Sequence, residues 1–207
     1  MVQLALSIVI GYLLGSISFS YIYGKLAKGI DIRSHGSGNA GATNTLRVLG
    51  VGPAIAVLLL DAAKGVAAVL IGGALGGDQE WAPVLAGIGA VVGHNWPIFF
   101  QFKGGKGIAT TVGVAATLCF LPTLIAGIVA ILCIAVTRYV SLGSLVLTGL
   151  LPILLVAMGR PSELIIASLV IAVFAYIRHR TNIVKLIKGK ENKLGSKKDG
   201  APTHATK

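Results

Sequence analysis

Acid is scarce in this sequence. It holds 7 Asp and Glu against 18 Lys and Arg, and charged residues of both signs make up only 12% of the 207 positions. A soluble domain carries about 25%, so a soluble globular fold does not fit. Cysteine is nearly absent too. Cys119 and Cys133 both lie inside apolar runs, where a free thiol packs as a small hydrophobe, and no zinc-type spacing is present. No Lys or Arg precedes Lys25, so the first apolar stretch lacks the positive flank of a cleavable signal peptide and reads as a retained helix. What is abundant is hydrocarbon, 55% hydrophobic residues with a mean hydropathy of +0.85, and glycine, at 28 residues. That combination predicts an all-α, polytopic integral membrane protein whose helices pack closely in lipid.

Apolar runs and charges then set an expected topology. Leu4–Tyr23 is the first span, Val51–Gly76 the second, with Pro53 suited to a helix's first turn, and Trp81–His94 begins the third. Ile108–Thr137 is an apolar run of about thirty residues, roughly 45 Å as one helix, against a bilayer core of about 30 Å. Read as a hairpin turning at Pro122, it gives the fourth and fifth spans. Leu142–Met158 is the sixth, and Leu164–Ile177 the core of the seventh. On this layout every Lys and Arg except Lys64 and Arg160 falls on one side, which the positive-inside rule makes cytoplasmic. The expectation is seven transmembrane helices, N-terminus out and C-terminus cytoplasmic. Residues 1–191 form the membrane domain and 192–207 a basic cytoplasmic tail whose last dozen residues read as disordered. The net charge of +11 is thereby explained by orientation, and nucleic acid is not among the expected partners.

Three polar, basic segments share that cytoplasmic side. Ser34–Arg47 reads SHGSGNAGATNTLR. Gly36, Gly38 and Gly41 match G-x-G-x-x-G, but no strand precedes them, so a dinucleotide fold is excluded. The physics of close backbone approach to a phosphate still holds, and Ser37, Asn39, Thr43, Asn44 and Arg47 add hydrogen-bonding groups. Phe102–Thr110, FKGGKGIAT, lacks Walker A spacing but sets Gly104, Gly105, Lys106 and Gly107 at a helix start with Thr110 one turn on, a phosphate cradle in outline. Lys103 reads as a snorkelling surface residue. Arg178–Glu191, RHRTNIVKLIKGKE, puts His179 and Asn182 on one helical face, with Glu191 the lone acid among lysines. His94 is either a cap or a ligand. Asp61 and Lys64, on one face of the second span, either pair with each other or touch substrate. Together these segments suit an anionic, phosphorylated substrate from the cytoplasm and an apolar co-substrate arriving through the bilayer.

SHGSGNAGATN at Ser34–Asn44, FKGGKGIAT at Phe102–Thr110 and TNIVKLIKGKE at Thr181–Glu191 resemble, in order, the three cytoplasmic motifs of the bacterial PlsY family, the acyl-phosphate–glycerol-3-phosphate acyltransferases. The resemblance extends over nearly the whole chain to about Glu191. It implies seven spans with N-terminus out, residence in the bacterial cytoplasmic (inner) membrane, and the first step of phospholipid synthesis. In that step the acyl group of an acyl phosphate moves to the sn-1 hydroxyl of glycerol 3-phosphate, giving lysophosphatidic acid and inorganic phosphate. The partners implied are acyl phosphate, glycerol 3-phosphate and membrane lipid, with no metal and no cofactor. Carried over by position, Ser37, Arg47, Lys106, His179 and Asn182 are the catalytic candidates. Gly36, Gly38, Asn39, Thr43, Asn44, Gly104, Gly105, Gly107, Thr110 and Glu191 are the substrate-binding candidates. Lys185 stands where an arginine is common in the family.

The chemistry needs little acid help, because phosphate leaves readily from a mixed anhydride. Positioning and charge stabilisation carry the rate. No H-x-x-x-x-D pair is present: the residues five after His35, His94 and His179 are Ala40, Phe99 and Val184. The attacking hydroxyl is then deprotonated by a substrate phosphate oxygen or with help from His179, while Ser37 binds or orients. Two other classes remain open from the residues alone, a transporter of phosphorylated solutes and a lipid-binding scaffold using the basic tail.

Overall fold

The computed structural model describes residues 1–196, and its described residues are helical with no strand. The elements are α1 (Val2–Gly15), α2 (Phe19–Lys28), α3 (Ala42–Leu49), α4 (Val51–Gly76), α5 (Trp81–Asn95), α6 (Ile108–Leu118), α7 (Phe120–Thr137), α8 (Val140–Ala157), α9 (Ser162–Arg178) and α10 (Arg180–Ile187). Large apolar side chains such as Leu59, Leu70, Ile131, Leu132, Val136 and Ile153 point outward. Lipid is the solvent that suits such a surface, since the helices satisfy their own backbone.

Small residues let the helices meet. Gly11 and Gly15 of α1 lie against the backbone of Ala86 and Ala90 of α5, close enough that a side-chain carbon at either glycine would collide. This is the close approach expected where lipid offers no hydrophobic drive between helices. Val69, Val91, Val114 and Ile171 join α4, α5, α6 and α9 in one apolar cluster, and Ala126, Ala130 and Leu147 join α7 to α8.

Length and composition qualify five segments to cross a bilayer: Val2–Lys28, Val51–Gly76, Trp81–Phe100, Phe120–Thr137 and Val140–Ala157. A sixth follows if α9 and α10, bent by 64°, are taken together, while α6 is shorter. Two expectations shift in position. The first span is not continuous: it breaks at Ser16–Ser18, between α1 and α2. The run 108–137 does divide in two, but at Cys119 rather than Pro122, which sits in the first turn of α7. A first-turn residue has no intrahelical acceptor for its N–H, so proline is accommodated there.

The chain after α10 returns to the α7–α8 turn. The Leu194 N–H donates to the Arg138 carbonyl at 2.7 Å, and the Arg138 guanidinium donates back to the Leu194 carbonyl. The disorder expected of the last dozen residues, 196–207, lies outside the described residues except at Ser196, whose N–H donates to the Lys193 carbonyl at 3.3 Å.

Candidate active site

The first polar segment is organised by one side chain. Asn44, in the first turn of α3, is 1% exposed. Its Nδ2 donates to the carbonyls of Ile32 and His35, both at 3.0 Å, and its Oδ1 accepts from the Ser37 N–H at 2.7 Å and the Ser37 hydroxyl at 3.1 Å. Ser37 is thus fixed from beneath. Gly36, at φ +59°, leaves no room for a side-chain carbon beside Asn44 Oδ1. The loop's entry is held by Arg33, which chelates Asp31, lies over the Tyr21 ring and donates to the Phe100 carbonyl at 2.8 Å. Hydrogen bonding from Arg33 keeps the Asp31 carboxyl below its usual range.

The second segment is clamped on three sides. The Gly105 N–H donates to the His94 carbonyl at 3.0 Å. Arg178, at the end of α9, donates to the Gly104 carbonyl at 3.0 Å and to the Gly105 carbonyl at 2.7 and 2.9 Å, with its guanidinium over Trp96. A Cβ at Gly105 would come within 2.5 Å of the Ala40 carbonyl and would also strike the His94 ring. Motif-one backbone, the end of α5 and the end of α9 therefore meet at one glycine.

Lys106 leaves this clamp toward the third segment. Its Nζ donates to Asn182 Oδ1 at 2.6 Å, and Asn182 Nδ2 donates to Glu191 Oε1 at 2.8 Å. Glu191 holds the amide, and the amide turns its oxygen to the lysine. Burial lowers the Lys106 pKa to about 8. Glu191 opposes that shift, while the positive charges of Arg178, Arg47 and Lys185 add to it. His179 is buried at the α9–α10 junction. Its Nδ1 lies 2.8 Å from the Ala175 carbonyl, an acceptor, which assigns the proton to Nδ1 and leaves Nε2 with a lone pair. Burial, then the neighbouring Lys106 charge, lowers its pKa to about 4, so the ring is neutral at pH 7.

The expected residues thus divide. Lys106, Asn182 and Glu191 form one hydrogen-bonded chain, with Arg47 and His179 close enough to feel or exert the lysine's charge. Ser37 and Asn44 form a second group, joined to the first where Ala40 meets Gly105. Asn39 and Thr43 are half-buried and Gly38 turns the exposed loop at φ +72°. Five of the substrate-binding candidates have defined surroundings within the protein. The Gly105 amide and the Gly104 and Gly105 carbonyls are bonded within the protein. Gly107, at φ +79°, starts α6 and accepts from the Thr111 N–H. Glu191 is committed to Asn182. Thr110 is 0% exposed, its backbone carbonyl lies against Gly65 of α4, and its buried hydroxyl has no hydrogen-bond partner among the described residues.

Two contributors carry no motif spacing. Arg178 reads in sequence only as a helix-end cation, although its place beside His179 is a weak signal. His94 supplies the carbonyl for Gly105. Of the two readings left open for Asp61 and Lys64, the structure supports pairing: Lys64 Nζ is 2.8 Å from Asp61 Oδ1.

The chain is similar to known proteins over nearly its whole length. A family model described as glycerol-3-phosphate acyltransferase matches residues 5–189. Glycerol-3-phosphate acyltransferase of Shouchella clausii is 60% identical over 201 residues, covering 95% of this chain and 98% of that one. The protein of the same name from Halalkalibacterium halodurans is 54% identical, with coverage of 95% and 98%. Crystal structures of PlsY, an integral membrane glycerol 3-phosphate acyltransferase, are similar as well. Its glycerol 3-phosphate form has a TM-score of 0.88 at 38% identity, over 93% of this chain and 96% of that one. Its lysophosphatidic acid form has a TM-score of 0.86 at 37% identity, over 95% and 97%.

Proposed function

The chain belongs to the glycerol-3-phosphate acyltransferase family, and on that premise we propose that it takes its acyl group from an acyl phosphate and delivers it to the sn-1 hydroxyl of glycerol 3-phosphate. The products are lysophosphatidic acid and inorganic phosphate. The observation that carries this reading is the Lys106–Asn182–Glu191 chain with Arg47 beside it. It concentrates positive charge, oriented by the half-buried Asn182 amide, at the meeting of three polar segments. Two phosphates, one on each substrate, are what such a site suits. A transporter would gather its polar groups near the bilayer midplane, and a lipid-binding scaffold would not need the Ser37 and Lys106 loops.

In this reading the sn-1 oxygen attacks the acyl carbonyl carbon, the bond from that carbon to the bridging oxygen breaks, and its electron pair leaves on that oxygen as phosphate. Lys106 holds the phosphate of glycerol 3-phosphate, and Arg47 offsets the charge that develops as phosphate leaves. The Ser37 hydroxyl bonds to an amide oxygen, which cannot take its proton, so Ser37 orients substrate rather than forming an acyl-enzyme. The hydroxyl's proton goes to a substrate phosphate oxygen. With a second pKa of about 6, phosphate is a stronger base than His179 at about 4. His179 supplies a lone pair as an acceptor that orients the hydroxyl. The same reading puts seven crossings in the cytoplasmic (inner) membrane, N-terminus out, with the site on the cytoplasmic face at the start of phospholipid synthesis, and residues 192–207 as a tail outside the membrane domain.

The experiment is phosphate release by purified protein in detergent. Release that requires both acyl phosphate and glycerol 3-phosphate, with lysophosphatidic acid formed in equal amount, is the expected result. Turnover with acyl-CoA or acyl carrier protein in place of acyl phosphate would overturn the donor assignment.

A further inference from the structure

A buried polar column runs from the break in the first span to the Lys106 loop, and the chemistry above does not use it. At one end the Ile17 carbonyl, freed where α1 gives way to α2, accepts from Lys64 Nζ at 2.7 Å. The same ammonium sits 2.8 Å from Asp61 Oδ1 as an ion pair. His94 Nδ1 approaches that oxygen from the other side at 3.5 Å. Beyond His94 lies Gly105: the ring packs on its Cα, and its N–H donates to the His94 carbonyl at 3.0 Å. Asp61, Lys64 and His94 are 1%, 5% and 7% exposed.

Stability alone does not account for this column. A buried ion pair is often no better than a well-packed apolar pair of similar volume, and ionisable groups within a span are costly. What an apolar pair would lack is a charge facing His94. The Asp61 carboxylate supplies it, with Oδ1 3.5 Å from His94 Nδ1, and the orientation of the imidazole decides where Gly105 can lie. We infer that Asp61, acting through His94, is a positioning residue that sets the Gly104–Gly107 loop so that Lys106 meets the phosphate of glycerol 3-phosphate. This rests on the proposed function for the identity of the phosphate, but not for the position of the loop.

The consequence is a selective one. Lys106 binds the acceptor's phosphate in ground and transition states alike, so misplacing it raises KM and leaves kcat nearly unchanged. The test is the double variant Asp61→Leu with Lys64→Met, which removes both charges together and leaves neither buried alone. It is paired with His94→Leu, which leaves the Asp61–Lys64 pair intact. Each is purified in detergent, and its size-exclusion profile is compared with the native protein's. KM for glycerol 3-phosphate, KM for acyl phosphate and kcat are then measured. Amide hydrogen exchange is followed over residues 102–107.

Both variants are expected to raise the glycerol 3-phosphate KM about tenfold or more, the scale of a displaced binding group, with the other two constants within about twofold. Both should speed exchange in that loop. Faster exchange with native KM, raised KM with native exchange, or native values for both would each overturn the inference. So would a phenotype in His94→Leu but none in the double variant, since Asp61 would then play no part. If the native protein itself fails to turn over this substrate pair, the functional reading falls instead, and exchange in the loop alone decides whether the column positions it.

Discussion

Lys106 is the residue on which acceptor binding turns, and its titration is open to measurement. Burial holds its pKa near about 8, below the ordinary 10.5. Above about 8 it loses the charge that binds phosphate, while the substrate phosphate, with a second pKa of about 6, stays dianionic. The kcat/KM for glycerol 3-phosphate, which reports the free enzyme, should therefore fall as pH rises through about 8. Lys106→Arg keeps its proton far above that pH, so the fall should vanish in that variant whatever its absolute rate. The stability linkage runs the other way. Between about 8 and 10.5 the unfolded chain binds the proton that the folded one has released, so stability contributed by this group rises with pH across that window. Ser37 gives a second residue-scale expectation. Ser37→Ala should lower kcat by about 10²–10³, the cost of one oriented polar donor. Mass spectrometry of quenched turnover should find no acyl group on Ser37 in the native enzyme.

At the scale of elements, Asn44 ties α3 to the loop before it with both ends of one amide. Asn44→Asp keeps an oxygen for Ser37 but sets a carboxylate oxygen against the Ile32 and His35 carbonyls. Two acceptors left unpaired cost about 1–3 kcal/mol each, so a lowered thermal midpoint and a loss of kcat should appear together. Asn44→Ala, lacking the repulsion, should be the milder change in midpoint. The same scale shows what the amino-acid sequence could reveal. The three loops were legible because polar glycine-rich stretches stand out between apolar runs, and the Asp61–Lys64 pairing was one of two readings of their spacing. The break at Ser16–Ser18 was not legible. It lacks proline and glycine, and the carbonyl freed at Ile17 is satisfied by Lys64, 47 residues away. Arg178 was missed for the same reason, since its partners at Gly104 and Gly105 lie 74 and 73 residues off. Pro122 misled by three residues because a helix's first turn tolerates proline as readily as a loop does.

For the whole molecule, the proposed orientation follows from charge. The loops bearing Ser37, Lys106 and His179 sit at ends of helices that carry nearly all the Lys and Arg, while the turn at Asp78–Glu80 and the one at Arg160–Glu163 carry a mixed or acidic complement. Crossing number depends on α6, whose 11 residues span only about 16 Å against a core of about 30 Å. It reaches across only with the loop before it and Cys119–Phe120 after it, so the bilayer should thin or the flanks snorkel there. Single cysteines in a background with Cys119 and Cys133 replaced by alanine test this in intact cells with a membrane-impermeant maleimide. Asp78→Cys and Glu163→Cys should label from outside. Ser34→Cys and Lys188→Cys should label only after the membrane is opened. The decisive position is the α6–α7 turn, where Phe120→Cys is 66% exposed in the parent side chain. Labelling of Phe120→Cys from outside requires α6 to cross and gives seven spans with the catalytic loops inside. Labelling only from the cytoplasmic side would make α6 re-entrant, and would then require α7 and every later helix to reverse.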